Sequence, residues 1–280
     1  MAFDKVVDSA VLDAGLKQIA DAIREKGGTS DSLAFPTAMA EAIAAIQAGG
    51  GDDDQSFKEV IEGTAVNPTL PSDLTKIRSH AFFNSTSLAL TSLPSGVTSI
   101  GSNAFQGCRN LALTSLPSGI TSIGSYTFYN CRNLALTSLP SGITSVGTYA
   151  FQGCSNLALT SLPSGITSIG SNAFYNCSNL ALTSLPSGIT SISVFTFQGC
   201  SNLALTSLPS GITSIGSNAF QACTGLTKIT FSGKPTTISS SAFGGCTNLL
   251  TINVPWAEGE VANAPWGATN ATINYNYTEG

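Results

Sequence analysis

The sequence predicts an α/β repeat solenoid of stacked parallel strands and short helical or 3-10 segments, preceded by a small two-helix N-terminal module. Three observations carry that expectation. Phe82, Phe105, Phe128, Phe151, Phe174, Phe197, Phe220 and Phe243 recur at a spacing of 23 residues with no insertion or deletion. Cys108, Cys131, Cys154, Cys177, Cys200, Cys223 and Cys246 keep the same period, with Ser85 in the first turn, and so does a column from Ile77 to Ile238. The acids are unevenly placed: residues 1–62 hold twelve, whereas none lies between Asp73 and Glu258. A fixed period with invariant apolar columns is the signature of coils that bury one another's faces.

Each segment follows from its residues. In residues 1–47, Ser9 can cap a first helix whose stripe is Leu12, Leu16, Ile19 and Ile23. Pro36 suits the start of a second, with Met39, Ile43 and Ile46 on one face. Two short helices bury little against each other, so this segment is expected to attach to a partner or to oligomerise. Residues 48–56, rich in Gly and Asp, form a linker. Residues 57–255 make about eight coils of consensus L-A-L-T-S-L-P-S-G-I-T-S-I-G-S-N-A-F-Q-G-C-S-N. Within each coil the L-A-L-T-S-L stretch is expected to be the strand, stopped by Pro. The A-F-x-x-C stretch, with apolar residues three apart, is expected to form a short helix or 3-10 turn. Residues 256–280 form a cap, with a final strand in Ala271–Tyr277 over the open edge and Trp256 and Trp266 sealing the core.

The Phe and Cys columns, among them Phe105, Phe128, Phe151 and Phe174, are expected to form an inward structural ladder. Aligned thiols suit neither disulfide geometry nor a converging zinc site, so each Cys reads as a small buried hydrophobe. Asn110, Asn133, Asn156, Asn179, Asn202 and Asn248 form a further column whose amides can satisfy backbone groups in the turn.

The composition excludes more than it specifies. Charged residues make up 10% of the chain and the net charge is −5. A stretch without carboxylates offers no general acid/base pair and no side-chain oxygen cage for Ca²⁺ or Mg²⁺. The single histidine, His80, has no evident catalytic companion. The expectation is a non-enzyme with no cofactor and no metal, no nucleic-acid partner and no membrane insertion. Met1–Ala10 lacks the apolar core of a secretory signal.

Binding residues are sought where coils differ. The position two before each core Phe reads His80, Asn103, Tyr126, Tyr149, Asn172, Phe195, Asn218 and Ser241. The position after it alternates aromatic and Gln, from Phe83 and Gln106 through Tyr129, Gln152 and Tyr175 to Gln198. Tyr126, Tyr129, Tyr149 and Tyr175, with Arg109 and Arg132 beside them, are the candidate ligand-binding residues. Neutral aromatic and amide surfaces suit a glycan or a protein. The Ser/Thr/Pro face is the rival surface, uniform enough to suit only a repetitive ligand.

The I-G-x-x-A-F-x-x-C core resembles the 23-residue leucine-rich repeat of the BspA type, which implies a curved leucine-rich-repeat solenoid used for recognition. The resemblance departs from the usual strand at Leu88-Ala89-Leu90 and returns to it at Leu226–Ile229 and Leu249–Ile252. The N-terminal Leu16–Gly28 and the closing Pro265–Tyr275 are similar to segments of tailed-bacteriophage structural proteins. That resemblance implies a virion tail fibre or adhesin, held to a tail or baseplate protein through residues 1–47 and meeting a host surface glycan or protein through the solenoid. The alternatives are a bacterial cell-surface adhesin and a purely architectural spacer.

Overall fold

The computed structural model describes residue 70 and residues 72–278. The expected helices of 1–47, the linker of 48–56 and the start of the first coil lie outside the described residues.

The turn around each core Phe sets the architecture. In the first, His80, Phe82 and Asn84 donate their amides forward to the carbonyls of Ser102, Ala104 and Gln106 at 2.7–3.1 Å. The amides between them, from Ala81, Phe83 and Ser85, bond back to Arg78, His80 and Phe82 within the turn at 3.1–3.3 Å. This alternation recurs through the coils; Phe105 and Gly107, for example, donate to Thr127 and Tyr129. It also corrects the expectation of a helical or 3-10 segment here, because the described residues contain no helix. A helix keeps its interior amides within its own segment, whereas these turns send every second one to the next coil. Phe and Cys three residues apart are compatible with either arrangement.

Alternating amides demand alternating backbone hand. His80, Asn103, Tyr126, Tyr149, Asn172, Phe195 and Asn218 all have φ of 55–61°. A second left-handed column, four residues on, runs Asn84, Gly107, Asn130, Gly153, Asn176, Gly199, Ala222 and Gly245. In that second column asparagine and glycine alternate for a steric reason. A Cβ built on Gly107 would fall on Oδ1 of Asn84, and the same conflict sets Gly153 against Asn130 and Gly199 against Asn176. From Asn84 to Gly199 the amide group of one coil fills the space a side chain would need in the next, so packing favours the 46-residue pairing of those coils; Ala222 and Gly245 stand outside it.

The strands are short and lie partly elsewhere than expected. One column comprises β1 (Lys76–Ile77), β2 (Ser99–Ile100), β3 (Ser122–Ile123), β4 (Ser145–Val146), β5 (Ser168–Ile169), β6 (Ser191–Ile192), β8 (Ser214–Ile215) and β10 (Thr237–Ile238). It occupies the T-S-I segment after the Pro-Ser-Gly turn, and its pairs are parallel with one coil's offset, as Ser122 to Ser145 and Ile123 to Val146. The L-A-L-T-S-L stretch becomes strand only late, in β7 (Ser207–Leu208), β9 (Lys228–Phe231) and β11 (Thr251–Asn253), with β12 (Thr272–Asn274) closing that sheet. In the earlier coils its Ala donates a single inter-coil bond, as Ala112 to Leu90 at 3.0 Å. Extended pairing is longest where Ile229-Thr230-Phe231 and Ile252-Asn253-Val254 stand in place of the Thr-Ser-Leu of earlier coils, consistent with the strand preference of β-branched and aromatic residues.

The core is a stack of ladders. Successive Phe rings lie 5.1–5.6 Å apart and within 10° of parallel. All seven thiols are free and buried. Each Sγ–H donates to the Phe carbonyl of the coil before it, at 2.8–3.0 Å. At the C-terminal end, β12 pairs with β11 in parallel register, as expected. Trp256 and Trp266 are buried edge to face at 6.3 Å between ring centroids, and Trp266 Nε1 donates to the Ala262 carbonyl.

The Asn–Gly lock predicts a double-mutant cycle. Gly153→Ala adds a Cβ both in a left-handed position and against Asn130, and is expected to cost about 1–3 kcal/mol in denaturant unfolding. Adding Asn130→Gly should recover the part due to collision and leave about 1 kcal/mol due to backbone hand. Strict additivity of the two changes would contradict the lock.

Candidate functional site

Left-handed backbone is well tolerated by asparagine and poorly by bulky side chains. Asn103, Asn172 and Asn218 therefore fit their column. Tyr126, Tyr149 and Phe195 occupy the same backbone at φ of 57–59°, each at a cost of about 1 kcal/mol relative to a residue free of the Cβ conflict. Costly conformations held by a surrounding scaffold concentrate at functional sites.

Three of the four expected tyrosines meet. The rings of Tyr126 and Tyr149 stack at 4.7 Å and 14°. Tyr129 closes the group, 5.7 Å from Tyr126 and 6.4 Å from Tyr149, the latter edge to face. Its hydroxyl accepts a 3.5 Å hydrogen bond from Gln152 Nε2. All three rings are half-buried, so they are supported from behind and open in front. Tyr175, two coils beyond Tyr129 in the same column, extends the ridge without joining this ring group. Arg109 and Arg132 sit exposed in adjacent coils, four residues after Phe105 and Phe128. No carboxylate lies between residues 74 and 257 to neutralise them. The pair therefore adds two exposed positive charges to coils whose own sequence carries no carboxylate.

The other columns have duties within the fold. Thr98, Thr144 and Thr213 turn their hydroxyls onto the backbone carbonyls of Thr75, Thr121 and Thr190 at 3.0–3.4 Å, which draws on the rival Ser/Thr face. In the asparagine column, Asn248 Nδ2 donates to the Thr224 carbonyl as expected. Asn133 and Asn156 instead serve through their backbone amides, bonded to Arg109 and Arg132. The cap carries an open depression of about 390 Å³ lined by Glu258, Val261, Pro265, Ile273 and Tyr275 among others. Among the described residues no three His, Cys, Asp or Glu side chains are grouped to hold a metal. Sequence reasoning found the aromatic columns through their variability but missed the left-handed backbone beneath them. The available signal was asparagine recurring at three of the eight positions of one column.

The thiols are chemically quiet. Burial pushes Cys108 from 9.0 up to about 12 and Cys246 up to about 11. The five between them are held well above 9.0, first by burial and then by neighbouring thiols. Because the folded values are raised, the protonated thiols contribute stability that is complete below about pH 9 and lost as pH rises toward the folded values. The unfolded chain binds fewer protons across that window, so unfolding free energy falls by up to about 1.4 kcal/mol per pH unit for each thiol. A disulfide reagent applied to native protein near pH 8 should find no reactive thiol and should find all seven after denaturation. Rapid native reaction would contradict the buried ladder.

The tyrosine column gives a second expectation. Tyr126→Asn and Tyr149→Asn exchange ring packing for a residue suited to the backbone, two terms of about 1 kcal/mol and opposite sign. Thermal or urea unfolding should stay within about 1 kcal/mol of the parent. A loss of about 3 kcal/mol or more, as for a core aromatic, would make these rings structural.

Comparison with known proteins places the chain. No curated protein matches it. A leucine-rich repeat protein of T. pallidum is 32% identical, covered over 57% of this chain and 78% of its own, with a TM-score of 0.49. One from Bacteroides ovatus is 22% identical over 72% of this chain and 64% of its own, with a TM-score of 0.48. A leucine rich cell surface protein of Faecalibacterium prausnitzii is 25% identical over 78% and 80%, with a TM-score of 0.40. The family model for the BspA type leucine rich repeat region matches residues 53–181 and 148–263, in six copies. With the repeat, the parallel coils and that match together, the chain belongs to the BspA-type leucine-rich repeat family.

Proposed function

We propose that this protein is a non-enzymatic recognition protein, displayed at a bacterial surface in the manner of an adhesin, whose ridge binds a surface glycan. The observation that carries the reading is the pair Tyr126 and Tyr149, stacked at 4.7 Å on left-handed backbone where other coils place asparagine. Rings fixed by the scaffold bind with little side-chain entropy to lose. A half-buried phenol offers an apolar face for the C–H side of a sugar and a hydroxyl for its polar edge. Arg109 and Arg132 add charge-assisted donors, suited to an acidic group on the ligand. Family membership fits a recognition role, although a fold alone names no ligand.

A second setting is a phage virion, with the solenoid as a tail-associated fibre or adhesin. Its support is the likeness of Leu16–Gly28 and Pro265–Tyr275 to tailed-bacteriophage structural proteins, with residues 1–47 as the attachment to a tail or baseplate protein or to further copies of the chain. Mass spectrometry of purified virions and of surface-shaved cells separates the two settings.

The full chain should bind glycan arrays or whole bacterial cells. Tyr126→Asn with Tyr149→Asn should weaken that binding at least tenfold, about 1.4 kcal/mol, without a matching change in melting. Arg109→Ser with Arg132→Ser should weaken it less and flatten its salt dependence. Binding unchanged in both variants would place recognition elsewhere.

A further inference from the structure

One column of the ridge, the position after each core Phe, alternates with a period of two coils from Phe83 to Gln198. Phe83, Tyr129 and Tyr175 stand in the odd coils and Gln106, Gln152 and Gln198 in the even ones. Each of these aromatics is followed by a left-handed asparagine, Asn84, Asn130 or Asn176, and each of these glutamines by a left-handed glycine, Gly107, Gly153 or Gly199; Gln221, followed by left-handed Ala222, ends the alternation. From Asn84 to Gly199, a Cβ on each glycine would meet the asparagine Oδ1 of the coil before it, which keeps odd and even coils distinct over that stretch. Parallel pairing sets successive coils roughly 4.8 Å apart, so in this column aromatic side chains recur along the axis at about twice that step with amide side chains between them, while Tyr149 of the column beside it places a further ring in one intervening coil.

From this we infer that the ligand is a linear β-linked polysaccharide lying along the solenoid axis, one sugar per coil, with its repeat of two sugars in register with the repeat of two coils. The inference rests on the glycan-binding reading above and adds the ligand's shape and period. In an extended β-1,4-type chain successive rings are turned over by about half a turn, so a given face returns at every second sugar. A stacking platform is then useful in every second coil. The coil between meets the opposite face, where hydroxyl and acetamido groups suit the amide of a glutamine. One pyranose ring is also comparable in length to one coil's advance, so the two lattices stay in step over several coils. Between residues 79 and 227 the only Lys, Arg, Asp or Glu side chains are Arg109 and Arg132, as suits a mainly neutral polymer. A ligand read at a single terminal sugar needs a closed pocket, and a ridge has none.

The test uses the full chain on arrays of length-resolved oligosaccharides, two to ten sugars long, from β-1,4-glucan, chitin, β-1,3-glucan and hyaluronan. Apparent affinity for at least one linear series is expected to rise in steps of two sugars and to level off near the number of ridge coils. Tyr175→Gln combined with Gln198→Tyr keeps the composition but puts the third aromatic out of step. It should lose most of the gain from the longer oligomers while leaving the affinity for the shortest unchanged, with unfolding measured alongside. Unmodified protein that binds a linear series smoothly with length, or binds only branched or terminal epitopes, overturns the periodic match and leaves the glycan reading standing. Absence of binding to any glycan overturns both.

Discussion

Alternate backbone amides in the turn around each core Phe point to the next coil, while those between them close bonds inside the turn. Most of the structure depends on that division of donors. It replaces a helix with a ribbon of alternating hand and fixes two left-handed positions four residues apart in each of the first seven coils. It also aims Phe and Cys inward together. Every Phe carbonyl from Phe82 to Phe220 then accepts a thiol from the coil ahead, so an otherwise under-used acceptor is satisfied inside the core. Such a stack gains stability between nearest neighbours, and the 23-residue spacing from Phe82 to Phe243 carries no insertion.

The same constraint shapes the surface. A left-handed position turns its side chain out of the coil and favours asparagine, so a tyrosine there marks a place where stability and presentation compete. Tyr126 and Tyr149 relieve part of that cost by stacking on each other, and Tyr129 by closing against both. The result is a rigid aromatic face, with two exposed arginines, on coils that carry no carboxylate between residues 74 and 257. On the proposed reading, ligand contact would be made mainly through rings, amides and hydroxyls, with the two arginines adding a salt-dependent part.

How much of this was legible in the sequence depends on which forces leave a periodic trace. Burial does, so Phe105, Phe128 and the thiols from Cys108 to Cys246 could be placed inside before any coordinates, as could Trp256 and Trp266 in the cap. Backbone hand leaves a weak trace, because Tyr126 and Phe195 disguise positions that asparagine would have revealed. Apolar residues three apart are shared by helices and by this alternating turn, so Ala104–Cys108 read as helical when it is not. Strand placement failed for a related reason. Leu-Ala-Leu has the alternation of a strand but makes one inter-coil bond per coil, whereas Thr-Ser-Ile, less distinctive in sequence, carries the parallel pairs. At the candidate site, sequence columns brought Tyr126, Tyr129 and Tyr149 to one ridge, and only three dimensions separate Tyr175 from their ring contacts.

The central claim is that odd and even coils interlock through asparagine and glycine, and coil deletion tests it most directly. Removing residues 140–162 sets Asn130 directly beneath Asn176, whereas removing residues 117–162 sets Gly107 beneath Asn176 and preserves the alternation. The two deletions differ by one coil, so nearest-neighbour additivity alone makes the longer protein the more stable. The interlock predicts the reverse order in denaturant unfolding, with the protein lacking residues 117–162 the more stable despite its shorter stack. Stability that simply tracks the number of coils would contradict it.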